Sequence, residues 1–282
     1  MKKIFLFALM GSFFGLLNAQ REYLPTPEDL ELLLTTKTYV VLEDSPMSDF
    51  NLEIKGLMQE FWTLTEFEYI KNAEFEKKSK DPNSSFLYTS IVKFDNDKTD
   101  SRYIFLHFSL GGPNFTINDL KDMASVPLGY FGVDPENYIY KLGIFLTFMQ
   151  NHVKLMMEKP EIVSTNIFKY YNDNIEDVQE KTIYFIEDEL DKEIGTAARI
   201  KQAYPYKFRI VQREEVSQAV LDRDESVVFL HKVGPEGKKL EARCYKILIG
   251  AGDARFYYFD YHKVNAKNPD GFLMSDLKKL AK

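Results

Sequence analysis

Four histidines stand in this chain, His107, His152, His231 and His262, and none lies in a His-Glu-x-x-His pattern that would place two imidazoles on one helix face around zinc. The single cysteine, Cys244, excludes paired-thiol metal spacing and an intrachain disulfide. Inside the apolar run Cys244 to Ile249 it reads as a small buried hydrophobe. There is no Gly-x-Ser-x-Gly elbow and no phosphate loop ending in Gly-Lys-Ser or Gly-Lys-Thr. The sequence therefore assigns no catalytic residue and no cofactor. A nucleophile would have to be assembled from residues distant in the chain.

Three patterns could still bind something. Carboxylates gather after two strand-like segments, as Glu43, Asp44 and Asp49 and again as Glu187, Asp188, Glu189 and Asp191. Strand carboxyl ends are where α/β proteins hold ligands, and clustered carboxylates suit Ca²⁺ or Mg²⁺, so Glu43, Asp44, Glu187 and Asp188 are the candidate metal ligands. The same acids would equally serve as solvated loops favouring the N-terminus of a following helix. Gly111 and Gly112 in one place, and Gly250 and Gly252 in an equivalent one, could let a ligand approach backbone amides, or simply make tight turns. An aromatic run from Phe256 to His262 could expose a stacking face. Strict alternation puts Phe256, Tyr258 and Asp260 on one side and Tyr257, Phe259 and Tyr261 on the other. Tyr257, Phe259, Tyr261 and His262 are the candidate partner-binding residues.

The elements that must position these groups occur twice. Lys37 to Asp44 returns as Lys181 to Asp188, both strand-like and both ending in two acids. A helical stretch follows each, Phe50 to Trp62 and about Ile194 to Tyr204, with Leu52, Ile54, Leu57, Met58 and Phe61 at helical spacing in the first. Then come strands Phe67 to Ile70 and Phe208 to Val211, charged helices Asn72 to Lys80 and Arg213 to Asp222, and strands Phe86 to Tyr88 and Phe229 to His231. Strands Arg102 to Leu110 and Arg243 to Ile249 follow, and Phe115 to Lys121 resembles Phe272 to Lys278, each opening a short helix. The spacing predicts an α/β (α+β sandwich) protein of two tandem β-α-β-α-β-β-α repeats with mixed sheets. An added strand, Arg255 to Val264, makes a hairpin in the second repeat alone. The expected domains are 35–137 and 179–282, joined by a helical connector over 138–178 in which Ile139, Leu142, Phe145, Leu146, Met149, Val153 and Met156 share one face.

The ends and the composition bound where such a protein works. Lys2 and Lys3 precede an apolar run from Ile4 to Leu17 that closes on Asn18, Ala19 and Gln20, the pattern of a signal peptide over 1–19, with a segment 20–34 after it. The run is shorter than the ~20 residues that span a bilayer, so cleavage near Ala19 and a periplasmic or secreted product are expected, with no transmembrane span in the mature chain. Among 282 residues, 36 Lys and Arg face 43 Asp and Glu, a net charge of -7 that argues against nucleic acid as a partner.

Phe208-Arg209-Ile210-Val211-Gln212-Arg213-Glu214-Glu215-Val216, set between strand and helix, resembles the F-x-x-V-x-R-x-E stretch in the α/β domain shared by curli-secretion lipoproteins and the N-terminal domain of the periplasmic Tol-Pal protein. That resemblance covers Lys181 to Val233 and implies an α/β fold and non-catalytic work in envelope assembly. The expectation is thus an exported binding protein of the bacterial cell envelope, partnered by envelope proteins or by itself. A periplasmic small-molecule binder is the alternative, and a metal-dependent enzyme using the acidic strand ends a more distant one.

Overall fold

The computed structural model describes residues 24–94, 99–113, 120–164, 167–173, 175–236 and 241–282. The leader read over 1–19 and the segment Phe115 to Asp119 lie outside the described residues. The first described helix is α1 (Pro27–Leu33), where Thr26 accepts from the Asp29 amide while the Asp29 carboxylate accepts from the Thr26 amide, with Pro27 in the first turn. Leu30 and Leu33 of this short helix are buried, so the N-terminal segment is part of the core.

The first half runs β1 (Lys37–Leu42), α2 (Asp49–Phe61), β2 (Glu66–Lys71), α3 (Asn72–Lys78), β3 (Ser84–Val92), β4 (Tyr103–Leu110) and β5 (Lys121–Tyr130). After 3₁₀ turns at Pro135–Asn137 and Ile139–Lys141 come the connector helix α4 (Leu142–Glu158) and α5 (Ile167–Asn172). The second half then runs β6 (Thr182–Phe185), α6 (Ala197–Ala203), β7 (Phe208–Ile210), α7 (Arg213–Leu221), β8 (Val227–Val233), β9 (Arg243–Gly250), β10 (Phe256–Lys263) and α8 (Met274–Leu280). Each half holds one mixed five-stranded sheet, ordered β2-β1-β3-β4-β5 and β10-β9-β8-β6-β7. In both, the two crossover-linked pairs are parallel and the rest antiparallel, giving the expected α/β sandwich of two similar halves.

Capping chemistry repeats with the fold. Glu74 accepts from the Lys71 amide at the start of α3, and Glu215 accepts from the Gln212 amide at the start of α7, at 3.1 Å in each case. Glu215 also holds Arg209 at 2.5 Å, so the motif glutamate and the strand arginine before it brace the β7–α7 turn.

Three expectations need correcting. The strand Phe256–Lys263 is no addition, because β5 occupies the same edge position in the first sheet. β5 escapes a sequence reading because Lys-Asp-Met-Ala-Ser-Val-Pro-Leu-Gly-Tyr does not alternate and contains Pro127, which an edge strand tolerates. Lys121 accordingly opens a strand between β4 and the connector, whereas Met274–Leu280 is a helix after β10, so the likeness between those two segments is not topological equivalence. Strand register also moves the first match by one residue. Thr38 pairs with Ser85 and Ile183 with Val228, so Lys37 corresponds to Thr182, and a slip of one residue exchanges the faces of a strand.

Helix α4 lies in the largest core cluster. Phe145, Leu146, Met149 and Val153 join Val40, Leu87, Leu106 and Phe108 of the first sheet, and Phe229, Ile247 and Ile249 of the second. The far face of the second sheet packs Ile183, Phe185, Leu230 and Leu248 against Ile200 of α6 and Leu277 and Leu280 of α8. Among the described residues no helix is long and apolar enough to cross a membrane.

A buried ion pair pins α8. Lys246 donates to both Asp276 oxygens at 2.8 and 2.9 Å, with the two side chains 2% and 1% exposed, and Asp276 also accepts from the Tyr258 hydroxyl and the Leu273 amide. Asp276→Ala strands a buried ammonium and should cost ~3–5 kcal/mol in denaturant unfolding, whereas Lys246→Met with Asp276→Leu should recover most of that loss.

Burial also holds three imidazoles neutral. His107 and His152 are pulled down to about 4 and His231 well below its ordinary value, desolvation being the main cause each time. These rings take up protons only on unfolding once the pH is below 6.5, so their stabilisation is complete above 6.5 and is lost as pH falls toward 4. Asp122, pushed up to about 6 by burial, works the other way, its contribution being full below 3.8 and lost as pH rises through about 6. Three rings against one carboxyl predict that unfolding free energy drops by ~3 kcal/mol or more between pH 7 and pH 4.5, read from urea titrations at each pH.

Candidate functional site

The aromatic strand β10 is largely spent on packing. Tyr257 is fully buried, its hydroxyl donating to Asp253 at 2.5 Å, and Phe259 packs on Phe168 of α5. His262 is half-buried with Nε2 on the Pro269 carbonyl at 2.8 Å, and Tyr261 alone is 39% exposed. Alternation fails because a bulge interrupts the pairing between Phe256 and Tyr258. Phe256 and Phe259 thereby share the face toward α4 and α5, while Tyr257 and Tyr258 both enter the cluster around α8. The strand's outer edge is met at Phe259 as well. Asn172 donates to the Phe259 carbonyl at 3.1 Å and accepts from its amide at 2.9 Å, mimicking another strand there, so of the expected partner-binding residues Tyr261 is the one left exposed.

The glycine loops are close packing contacts. A side chain at Gly111 would strike the Asp81 and Ser79 carbonyl oxygens, and one at Gly252 would meet the Arg223 carbonyl at 2.6 Å and the Glu225 amide at 2.8 Å. Gly112 donates to the Ser79 carbonyl and Gly250 to the Arg255 carbonyl, so these amides are already used. They knit the end of β4 or β9 to the loop before β3 or β8, which is a structural duty.

The acids are not brought together. Glu43 and Asp44 close β1 in the first half, and Glu187 and Asp188 close β6 in the second, all exposed. Among the described residues no group of three or more His, Cys, Asp or Glu is disposed to hold a metal ion, so the metal reading fails. Their neighbour Glu189 turns inward instead and pairs with Lys141 at 2.6 Å. Glu43 and Asp44 do line a cleft of about 480 Å³ beyond the end of β1.

A second cleft, of about 490 Å³, lies where α4, α5 and the turn into β10 meet. Helical spacing sets Phe148, His152 and Leu155 on one side of α4, and the bulge delivers Phe256 opposite. The Phe148 and Phe256 rings stack at 3.7 Å, Tyr171 leans on Phe256 at 5.1 Å, and Phe148 also lies parallel to the His152 ring. The Tyr171 hydroxyl and His152 Nδ1 are 2.6 Å apart. Since burial keeps His152 neutral at pH 7, the ring adds a polar edge without charge. Lys154 and Lys159 stand on the rim with Glu158, and the Lys159 ammonium sits 5.7 Å from the Tyr170 ring centre. Arg255 contributes its stem while its guanidinium pairs with Asp177 at 3.0 Å. Such a cleft can hold a small organic molecule, with aromatic walls for a flat apolar body and lysines for an anionic end.

Of these lining residues the sequence reading named His152 and Phe256 but assembled neither into a site, because the cleft draws on three elements and on a bulge that has no local signal. Comparison with known proteins gives no match to any family model, to any curated protein or to any solved structure.

Proposed function

We propose that this chain is an exported binding protein of the bacterial cell envelope that holds a small organic anion between α4, α5 and the β9–β10 turn. The observation that carries the reading is the aromatic cleft itself: about 490 Å³, walled by Phe148, Tyr170, Tyr171 and Phe256 and rimmed by Lys154 and Lys159. Volumes of ~300–1,000 Å³ with apolar walls and few polar groups are the ordinary dimensions of ligand sites. Export is supported by the leader pattern Lys2-Lys3, Ile4 to Leu17 and Ala19, and envelope work by the resemblance over Lys181 to Val233. A partner protein on β10 is less well supported, because Asn172 of α5 already meets that edge at Phe259.

A thermal-shift panel of aromatic and aliphatic carboxylates, phosphates and their uncharged analogues tests the reading. A true ligand at 100 times its Kd adds ~2.7 kcal/mol to native stability, an increase readily seen in the melting temperature. Tyr170→Ala should weaken that ligand about tenfold, and Lys159→Glu should weaken the anion more than its uncharged analogue. Stabilisation by none of the panel, or stabilisation that both substitutions leave intact, would defeat it. For export, cell fractionation should find the chain shortened at its N-terminus and outside the cytoplasm.

A further inference from the structure

Across the first sheet, four side chains on three neighbouring strands form one hydrogen-bonded row. Ser90 Oγ on β3 is 2.8 Å from His107 Nε2 on β4, His107 Nδ1 is 2.7 Å from Ser125 Oγ on β5, and Ser125 reaches the Asp122 carboxylate at 2.7 and 2.8 Å. Ser90 lines the cleft at the carboxyl end of β1.

The direction of the row follows from counting hydrogens. The Asp122 carboxyl, pushed up to about 6, is ionised at pH 7 and can only accept, so the single Ser125 hydroxyl hydrogen points to it. Ser125 Oγ must then accept from His107, which fixes the Nδ1–H tautomer and turns the Nε2 lone pair toward Ser90. Ser90 in turn must donate its hydroxyl hydrogen to Nε2. The Tyr88 ring, stacked on His107 at 5.0 Å, holds the imidazole plane.

The second half shows that this row is not what the fold needs. Register equates Ser90 with Val233, His107 with Ile247 and Ser125 with Phe259, since His107 pairs with Tyr88 and Ser125 as Ile247 pairs with His231 and Phe259. Val233 and Ile247 are 1% and 0% exposed and Phe259 is half-buried, whereas Ser90, His107 and Ser125 are all partly exposed. One plan thus carries apolar side chains at these positions in one half and an accessible polar row in the other.

We propose that Ser90 is a nucleophile activated by His107, in a second site that cleaves neutral or cationic carboxylic esters. Ile91, Ile104 and Phe131 offer an apolar wall for the acyl group, while exposed Glu43 and Asp44 disfavour anionic substrates. Ser90 Oγ passes its proton to His107 Nε2 and bonds to the ester carbonyl carbon. The carbon–oxygen bond to the alcohol breaks and the alcohol oxygen takes the proton from Nε2. A water then gives one proton to Nε2 and its hydroxyl to the acyl carbon. The bond to Ser90 Oγ breaks as Oγ recovers that proton, releasing the carboxylic acid. Ser125 and Asp122 are positioning residues, acting through the His107 tautomer. A ring that burial makes weakly basic implies slow turnover.

The test treats the folded protein with a fluorophosphonate probe and with the p-nitrophenyl esters of acetate and butyrate. Peptide mass spectrometry should find the phosphonyl group on Ser90, Ser90→Ala should abolish labelling and turnover, and His107→Gln should lower the labelling rate ~10²–10⁴-fold. Imidazole ¹⁵N shifts should show Nδ1–H for His107 in the wild-type protein, the tautomer that the row requires. Absence of label on Ser90 in the wild-type chain, turnover that survives Ser90→Ala in a protein with unchanged near-ultraviolet circular dichroism, or a wild-type Nε2–H tautomer would each overturn the proposal. None of these readouts involves the α4–α5 cleft, so failure here leaves the small-anion reading standing, and the reverse.

Discussion

Lys141 is the point on which the assembly of the two halves turns. It has no exposure, and its ammonium donates to Glu189 Oε1 at 2.6 Å and to the Leu230 carbonyl at 2.9 Å, joining the start of the connector helix to two elements of the second half. Removing such a charge from water is costly, and the cost is offset only while both acceptors are in place. Desolvation accordingly holds the Lys141 pKa below its ordinary value despite the neighbouring carboxylate. Nine residues on, Gln150 does the same toward the first half. Its oxygen accepts from the Thr63 and Leu64 amides and its nitrogen donates to the Phe61 and Leu146 carbonyls, capping the end of α2. A helix fixed at both points has one rotation available. That rotation presents Phe145 and Met149 to the shared core and Phe148 and His152 to the aromatic cleft.

The duplicated plan explains why the halves can differ in use. Each sheet buries one face by obligation and has a second face whose covering depends on what the connector supplies. In the second half that face meets α4, α5 and α7, and its positions are Phe229, Ile247, Ile249 and Phe256. In the first half, among the described residues, Phe75 of α3 and Leu120 pack there against Phe86 and Tyr88. Farther along that face stand Ser90, His107 and Ser125, each partly exposed. Polar side chains cost little where water or a hydrogen-bonded neighbour satisfies them, and much where neither does.

How far the sequence could be read follows from the same distinction. Repeated hydrophobic patterns are properties of neighbouring residues, so the tandem β-α-β-α-β order, the connector and the α/β class are legible in Lys37 to Leu110 and Lys181 to Ile249. What depends on a neighbour across the sheet is not. β5 carries Pro127 and Gly129 because it is an edge strand, and edge status is a fact of topology. The bulge at Phe256 to Tyr258 reassigned the faces of an aromatic run whose alternation looked plain. Carboxylates repeated after β1 and β6 suggested a metal, yet a repeat copies a local feature without bringing its two copies together.

Ser90, His107, Ser125 and Asp122 make the same point from the other side. Their separations along the chain correspond to no motif, because sheet register rather than a turn or a helix brings them into one row. His107 sits in Tyr-Ile-Phe-Leu-His-Phe-Ser-Leu, a strand whose other half-buried positions are Ile104 and Phe105, and there a lone histidine reads as packing. Only the comparison of the halves brings the row out, since Ser90, His107 and Ser125 stand where the second half has Val233, Ile247 and Phe259. A duplicated fold thus contains its own control, and positions where equivalent residues differ in polarity are those whose surroundings differ between the halves.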